Sequence, residues 1–234
     1  RPQPSPNGRF LLYTRDRGDL VLHHLASGTD RVLLESWNEP DVQWLPDSRH
    51  LVYSVEDLDF NSDVWLMDIE APDQAINLTK HPDIDHQPRI SDDGTFLVFL
   101  SDRGRIGHNY EFDVYGMALD PSLLDMTKWA YDDHVTAAGK AAGAKKLLPV
   151  KVEGGPPAKD KKVDPLTFTD LDTAWRRVHR ISSLNDSESD LYLTPDGKHV
   201  LYSGDVDGTK ALWSTDWKGS GRKQVVSGSV SNLQ

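Results

Sequence analysis

A turn tripeptide followed by a short apolar strand occurs four times in the chain, and this repetition constrains the fold more than any other feature. The copies are Pro6-Asn7-Gly8 before Phe10-Leu11-Leu12-Tyr13, Pro46-Asp47-Ser48 before Leu51-Val52-Tyr53, Asp92-Asp93-Gly94 before Phe96-Leu97-Val98-Phe99, and Pro195-Asp196-Gly197 before Val200-Leu201-Tyr202. Proline presets the first turn dihedral, the Asp or Asn side chain closes the turn on the backbone, and glycine accepts the positive φ of the last position. Each turn therefore joins two antiparallel strands, the first of them carrying segments such as Gln43-Trp44-Leu45, Pro88-Arg89-Ile90-Ser91 and Leu191-Tyr192-Leu193.

A third strand follows each hairpin, at Asp19–Leu25, Asp63–Asp68, Asp113–Ala118 and Ala211–Asp216, and a fourth is expected at Arg31–Leu34, Ala75–Thr79, Trp175–Ile181 and Lys223–Val226. Four antiparallel strands per repeat describe a propeller blade, so the fold class is all-β, built of WD40-like blades. The expected blades cover roughly 1–40, 41–85, 86–185 and 186–234. Four repeats could close a small ring, but an incomplete ring is expected, whose open edges favour self-association. The chain opens at a turn and stops without a terminal cap, and it reads as a segment of a larger protein.

Aligned on Gly8, Ser48, Gly94 and Gly197, the repeats are spaced by 40, 46 and 103 residues. The long interval is assigned to an insertion at 121–163 within the third blade. A short helix is expected from Pro121 to Tyr131, with proline in its first turn. The stretch 136–162, rich in Ala, Gly and Lys, reads as a mobile loop and as the first site of limited trypsin cleavage.

Composition excludes several classes of function. Asp and Glu outnumber Lys and Arg by 37 to 26, a net charge of −11 that opposes docking on nucleic acid or anionic lipid. No run of apolar residues is long enough to span a membrane. Cysteine is absent, which removes thiolate metal sites and disulfides without selecting a compartment.

The segment Asp85-His86-Gln87-Pro88-Arg89-Ile90-Ser91-Asp92-Asp93-Gly94-Thr95-Phe96-Leu97-Val98-Phe99-Leu100-Ser101-Asp102-Arg103 resembles the PD40 repeat of TolB-like and tricorn-type propellers. The residues that carry the signature are Asp85, Pro88, Asp93, Gly94, Asp102 and Arg103, with Pro195, Asp196 and Gly197 in the last copy. Asp113-Val114-Tyr115 leads into the insertion and Arg176-Arg177-Val178-His179-Arg180-Ile181 leads out, similar to an interrupted blade of bacterial tricorn protease relatives. That resemblance implies a parent serine peptidase of the S41 class, with the compartment, cytoplasm or periplasm, left open. The expected role is a non-catalytic propeller that binds or gates peptides and unfolded segments. A TolB-like protein–protein scaffold attached to no enzyme is the alternative, and a propeller housing its own glycosidase or lactonase site is a third. None of the family's catalytic residues has a position in this chain.

The chain has no G-x-S-x-G, H-E-x-x-H or G-x-x-x-x-G-K motif, so no catalytic site and no cofactor are expected. Asp57, Asp59, Asn61 and Asp63 alternate as calcium ligands do, yet Ser62 stands where an EF-hand requires glycine and Asp68 where it prefers glutamate. A solvated hairpin loop accounts for them better. His81, Asp83, Asp85 and His86 could supply zinc ligands but lack a fixed helical spacing. Trp44, Trp65 and Trp213 fall in strand patterns and read as packing between blades, whereas Trp37 precedes a loop and is the better candidate for a surface contact.

Overall fold

The computed structural model describes residues 2–103, 111–144, 165–182, 184, 187–206 and 208–228. Among these described residues, sixteen strands assemble into four antiparallel sheets. Blade 1 comprises β1 (Gln3–Pro4), β2 (Phe10–Arg15), β3 (Asp19–His24) and β4 (Thr29–Leu34), and blade 2 comprises β5 (Asp41–Trp44), β6 (His50–Glu56), β7 (Ser62–Asp68) and β8 (Ile76–Asn77). Blade 3 is formed by β9 (Asp85–Ile90), β10 (Phe96–Ser101), β11 (Asp113–Ala118) and β12 (Val178–Arg180), and blade 4 by β13 (Ser189–Leu193), β14 (Val200–Val206), β15 (Thr209–Thr215) and β16 (Lys223–Ser227). The blades follow one another as an open arc, and among the described residues no strand of the fourth sheet pairs with the first.

The repeated turn forms for the reason its residues suggest. Gly8, Ser48, Gly94 and Gly197 all have positive φ, between 60° and 73°. The preceding Asn7, Asp47, Asp93 and Asp196 each accept the amide two residues on through Oδ1, at 3.0–3.1 Å. A hydroxyl at the start of the turn adds a further tie in three blades, where Ser5 Oγ, Ser91 Oγ and Thr194 Oγ1 accept from Phe10 N, Phe96 N and His199 N. Leu45 holds that place in blade 2.

The core lies at the seams between blades. Leu12, Leu20 and Leu22 of blade 1 meet Leu51, Tyr53 and Met67 of blade 2. Val52, Val64 and Leu66 on the other face of blade 2 meet Leu97, Phe99 and Met117 of blade 3, and Phe96, Val98 and Leu100 turn to Leu191, Val200 and Tyr202 of blade 4. Every residue of β10 and β11 is buried, since both faces of blade 3 are covered. This is why β10 is continuously apolar apart from its last residue, Ser101, rather than alternating.

The insertion departs from expectation. α1 (Ser122–Asp125) is followed by α2 (Lys128–Ala144), so helix extends through residues expected to be loop. Alanines at 130, 137, 138, 141, 142 and 144 favour it intrinsically. Tyr131 stacks on Trp217 with centroids 4.7 Å apart, its hydroxyl donates to Gly197 O at 3.2 Å, and His134 Nε2 lies 2.9 Å from Asp93 Oδ2. The helix therefore rests on the turns of blades 3 and 4. Residues 145–164, where the cleavage expectation largely falls, lie outside the described residues. On the return, Leu166 N donates to Asp47 Oδ2 at 3.0 Å and Phe168 meets His50 edge-on. The strand expected at 175–181 is instead a 3-10 helix, Leu171–Arg177, followed by the short β12. Arg177 Nε, donating to Ala118 O at 2.7 Å, turns the chain into the sheet.

Candidate functional site

Inner strands are tied across the seams by side chains that satisfy each other's backbone. Gln43 Oε1 accepts from Ile90 N at 3.0 Å, Gln3 Nε2 donates to Val42 O at 3.2 Å, and Gln87 Oε1 accepts from Leu191 N at 3.5 Å. Gln87 and Asp190 both have φ near 50°, each at a register shift in its inner strand. These bulges turn the first residues of β9 and β13 out of the regular pleat.

At the start of β9, Asp85 is fully buried, and Arg103 Nη2 donates to its Oδ2 at 2.5 Å. The guanidinium lies 5.3 Å from the ring centres of both Phe99 and Tyr115, and its Nε donates to Ser101 Oγ at 3.0 Å. Burial pushes the Asp85 carboxyl up, and Arg103 pulls it back only in part. Asp102 Oδ1 accepts from Ile84 N at 2.8 Å, fixing the chain that enters the blade. Ser62 Oγ, from blade 2, donates to Asp85 O at 2.9 Å, so the signature residues latch blade 3 to its neighbour.

The seam between blades 1 and 2 holds open space. An inner cleft of about 320 Å³ is lined by Gln3, Leu12, Glu39 and Asp41. An outer cleft of about 580 Å³ has Leu34, Tyr53, Trp65 and Met67 among its apolar walls. Glu35, Glu56, Asp57, Asp63 and Asp73 border it, and none of its lining residues is Lys, Arg or His. An aromatic floor under a rim of carboxylates suits an extended chain carrying apolar and basic side chains.

The oxygen-rich loop is occupied with its own turn. Asp57 Oδ1 accepts from Asp59 N and Asn61 N, and Asp63 Oδ1 and Oδ2 accept from Thr79 and Asn77. Asn61 Nδ2 donates to His81 O. No group of three or more His, Asp or Glu side chains among the described residues converges as metal ligands would. His81 stays beside Asp83, while His86 is packed edge-on to Phe112 at 4.6 Å and lowered in pKa by that burial.

Trp44 is buried with its indole donating to Gln3 O, and Trp65 and Trp213 are half-buried at the first and third seams. Trp37 is half-buried against Phe60, itself 69% exposed. Two features went unnoticed in the sequence: Glu188, buried at the start of blade 4, and the docking face of α2. Glu188 does carry a signal, since it stands 103 residues after Asp85, the same offset that separates Gly94 from Gly197.

Solved structures share this architecture. Tricorn protease superposes with a TM-score of 0.62 at 17% identity, over 97% of this chain and 22% of its own. A TolB-type protein from Agrobacterium tumefaciens gives 0.59 at 15% identity, over 96% of this chain and 64% of its own. The β-propeller domain of the trilobed protease from Pyrococcus furiosus gives 0.53 at 14% identity, over 96% and 57%. The chain thus spans about a fifth of tricorn protease and under two thirds of the other two, and at these identities the likeness speaks for the fold alone. No curated protein matches it in sequence. The model of the PD40 family, the TolB beta propeller domain, matches residues 1–232, and the chain belongs to that family.

Proposed function

We propose that this propeller is the non-catalytic, peptide-binding part of a tricorn-like serine peptidase, with substrate segments held in the outer cleft between blades 1 and 2. The cleft carries the reading: Trp65, Val32 and Val55 offer apolar surface, and Glu35, Glu56, Asp57 and Asp73 attract basic residues. The blade interrupted between β11 and β12 and the shared fold with tricorn protease support the peptidase connection. A TolB-like scaffold that binds a folded partner is the second reading, supported by the comparable superposition on the Agrobacterium protein.

Titration with an unstructured peptide of alternating Leu and Lys, followed by tryptophan fluorescence, tests the cleft. Wild type binds it, and Trp65→Ala together with Asp57→Asn weakens binding by about tenfold or more. Equal binding by wild type and variant removes the cleft reading. The intact mass of the native protein separates the two parents: a mass several times 26.2 kDa favours the peptidase, and a mass near that value favours the scaffold.

A further inference from the structure

The seam between blades 3 and 4 repeats the Asp85–Arg103 latch with a valine where the arginine stands. Ser101 pairs with Asp85 in blade 3 and Ser203 with Ser189 in blade 4, which places Glu188 at the position of Asp85, Gly204 at Ser101 and Val206 at Arg103. The aromatic bed is kept. Phe99 and Tyr115, the cross-strand pair beneath Arg103, correspond to the cross-strand pair Tyr202 and Trp213. The hydroxyl of the preceding blade is kept too: Ser182 Oγ accepts from Val114 N at 2.8 Å, as Thr79 Oγ1 accepts from Val64 N at 3.0 Å.

Glu188 is only 2% exposed, and neither carboxylate oxygen makes a well-formed hydrogen bond among the described residues, the Ser182 hydroxyl being near enough only to favour its charged form. Burial raises its pKa to about 8; Ser182 opposes the rise, the nearby Asp113 carboxylate adds to it, and Arg180 opposes it weakly. Arg180 is committed elsewhere, with Nη2 donating to Asp113 Oδ2 at 2.5 Å. Arg222 lies 5.8 Å from the Trp213 ring centre and makes no hydrogen bond to Glu188. A Cβ on Gly204 would meet Leu184 Cδ1 at 2.7 Å and Glu188 Cγ at 3.5 Å, so an apolar methyl sits where blade 3 has the Ser101 hydroxyl. Native proteins rarely keep a buried carboxyl without a donor.

We propose that this seam is a cation site that takes the guanidinium of an arginine side chain presented by a bound polypeptide. Arginine fits better than lysine because its planar donor fork pairs with a carboxylate while its face lies on aromatic rings. The same chemistry already holds Arg103 one seam away. Half-exposed Val206 marks the corner where such a side chain enters. The site is separate from the outer cleft and does not depend on the peptidase reading.

Calorimetric titration at pH 7 with N-acetyl-arginine amide, in two buffers of different ionisation enthalpy, tests it. The citrulline analogue serves as the uncharged isostere. The arginine probe binds and releases a proton as Glu188 ionises, and the citrulline probe binds at least about tenfold more weakly. Glu188→Gln abolishes both the binding and the proton release. Val206→Arg supplies the guanidinium in cis, raising Tm and abolishing probe binding. The proposal falls if wild type does not bind the arginine probe, if Glu188→Gln binds it equally, or if Val206→Arg has a lower Tm and still binds it.

Discussion

Arg103 donates to Asp85 across 2.5 Å at a point where the carboxylate has no access to solvent. Removing one member of such a pair leaves a buried charge without its partner, which costs about 3–5 kcal/mol. Arg103→Ala is expected to lose stability on that scale in urea unfolding. The double variant Asp85→Asn/Arg103→Met, which removes both charges, recovers most of the loss. A double variant as unstable as Arg103→Ala would show that the arginine acts through packing on Phe99 and Tyr115 instead.

Gly219 sits in a turn of blade 4 with φ of 81°, and a Cβ there would lie 2.3 Å from the backbone oxygen of Ile181 in blade 3. Gly221, two residues on, has φ of 67° with nothing within 4 Å. Both alanine substitutions carry the left-handed backbone penalty of about 1–2 kcal/mol. Only Gly219→Ala also forces the seam apart, so it is expected to be less stable than Gly221→Ala by at least about 2 kcal/mol. Equal thermal stabilities of the two variants would mean that the turn yields without disturbing blade 3.

Blade number and strand order were legible because turn chemistry is local: Asp93 and Gly94 close their turn with their own side chain and φ, whatever surrounds them. The continuous apolar run Phe96–Leu100 marked a strand but not its two different partners, since the alternation of seams appears only once the blades stack. The strand expected at 175–181 forms only at 178–180, for a tertiary reason: Arg177 bonds Ala118 O where the 3-10 turn 171–177 gives way to β12. Glu188 lay hidden because no local pattern separates a buried carboxyl from a solvated one. Its meaning depends on Val206, 18 residues away, occupying the place of an arginine.

Docking of α2 rests largely on Tyr131, which is buried between Trp217 and the turn at Gly197. Tyr131→Phe loses one hydrogen bond and is expected to cost about 1 kcal/mol. Tyr131→Ala opens a cavity under the helix and costs about 3–5 kcal/mol. If the helix braces the turns, hydrogen exchange in Tyr131→Ala rises at Gly197 and His199 while blades 1 and 2 keep their protection. Uniform exchange changes through all four blades would show that the helix supports the whole arc rather than one seam.

Stability should fall as pH rises, with Glu188 as a principal cause. Below about pH 4.5 its carboxyl is protonated in both the folded and the unfolded chain and gives no pH dependence. Between about 4.5 and about 8 the unfolded chain releases this proton while the folded chain keeps it, so stability declines through that window and the full penalty is present above it. The span corresponds to roughly 3–5 kcal/mol. Asp47 works in the opposite sense at the acid end: burial raises it, but His50 and the amides of His50, Arg49 and Leu166 hold it at about 2. Its contribution is lost as pH falls from about 3.8 through about 2. Urea midpoints at pH 5.5 and 8.5 therefore separate the two residues, because of the pair Glu188 alone titrates in that interval. Wild type loses stability over that interval, and Glu188→Gln flattens the decline. An equally steep decline in Glu188→Gln would assign the pH dependence to other groups and leave Glu188 without a part in it.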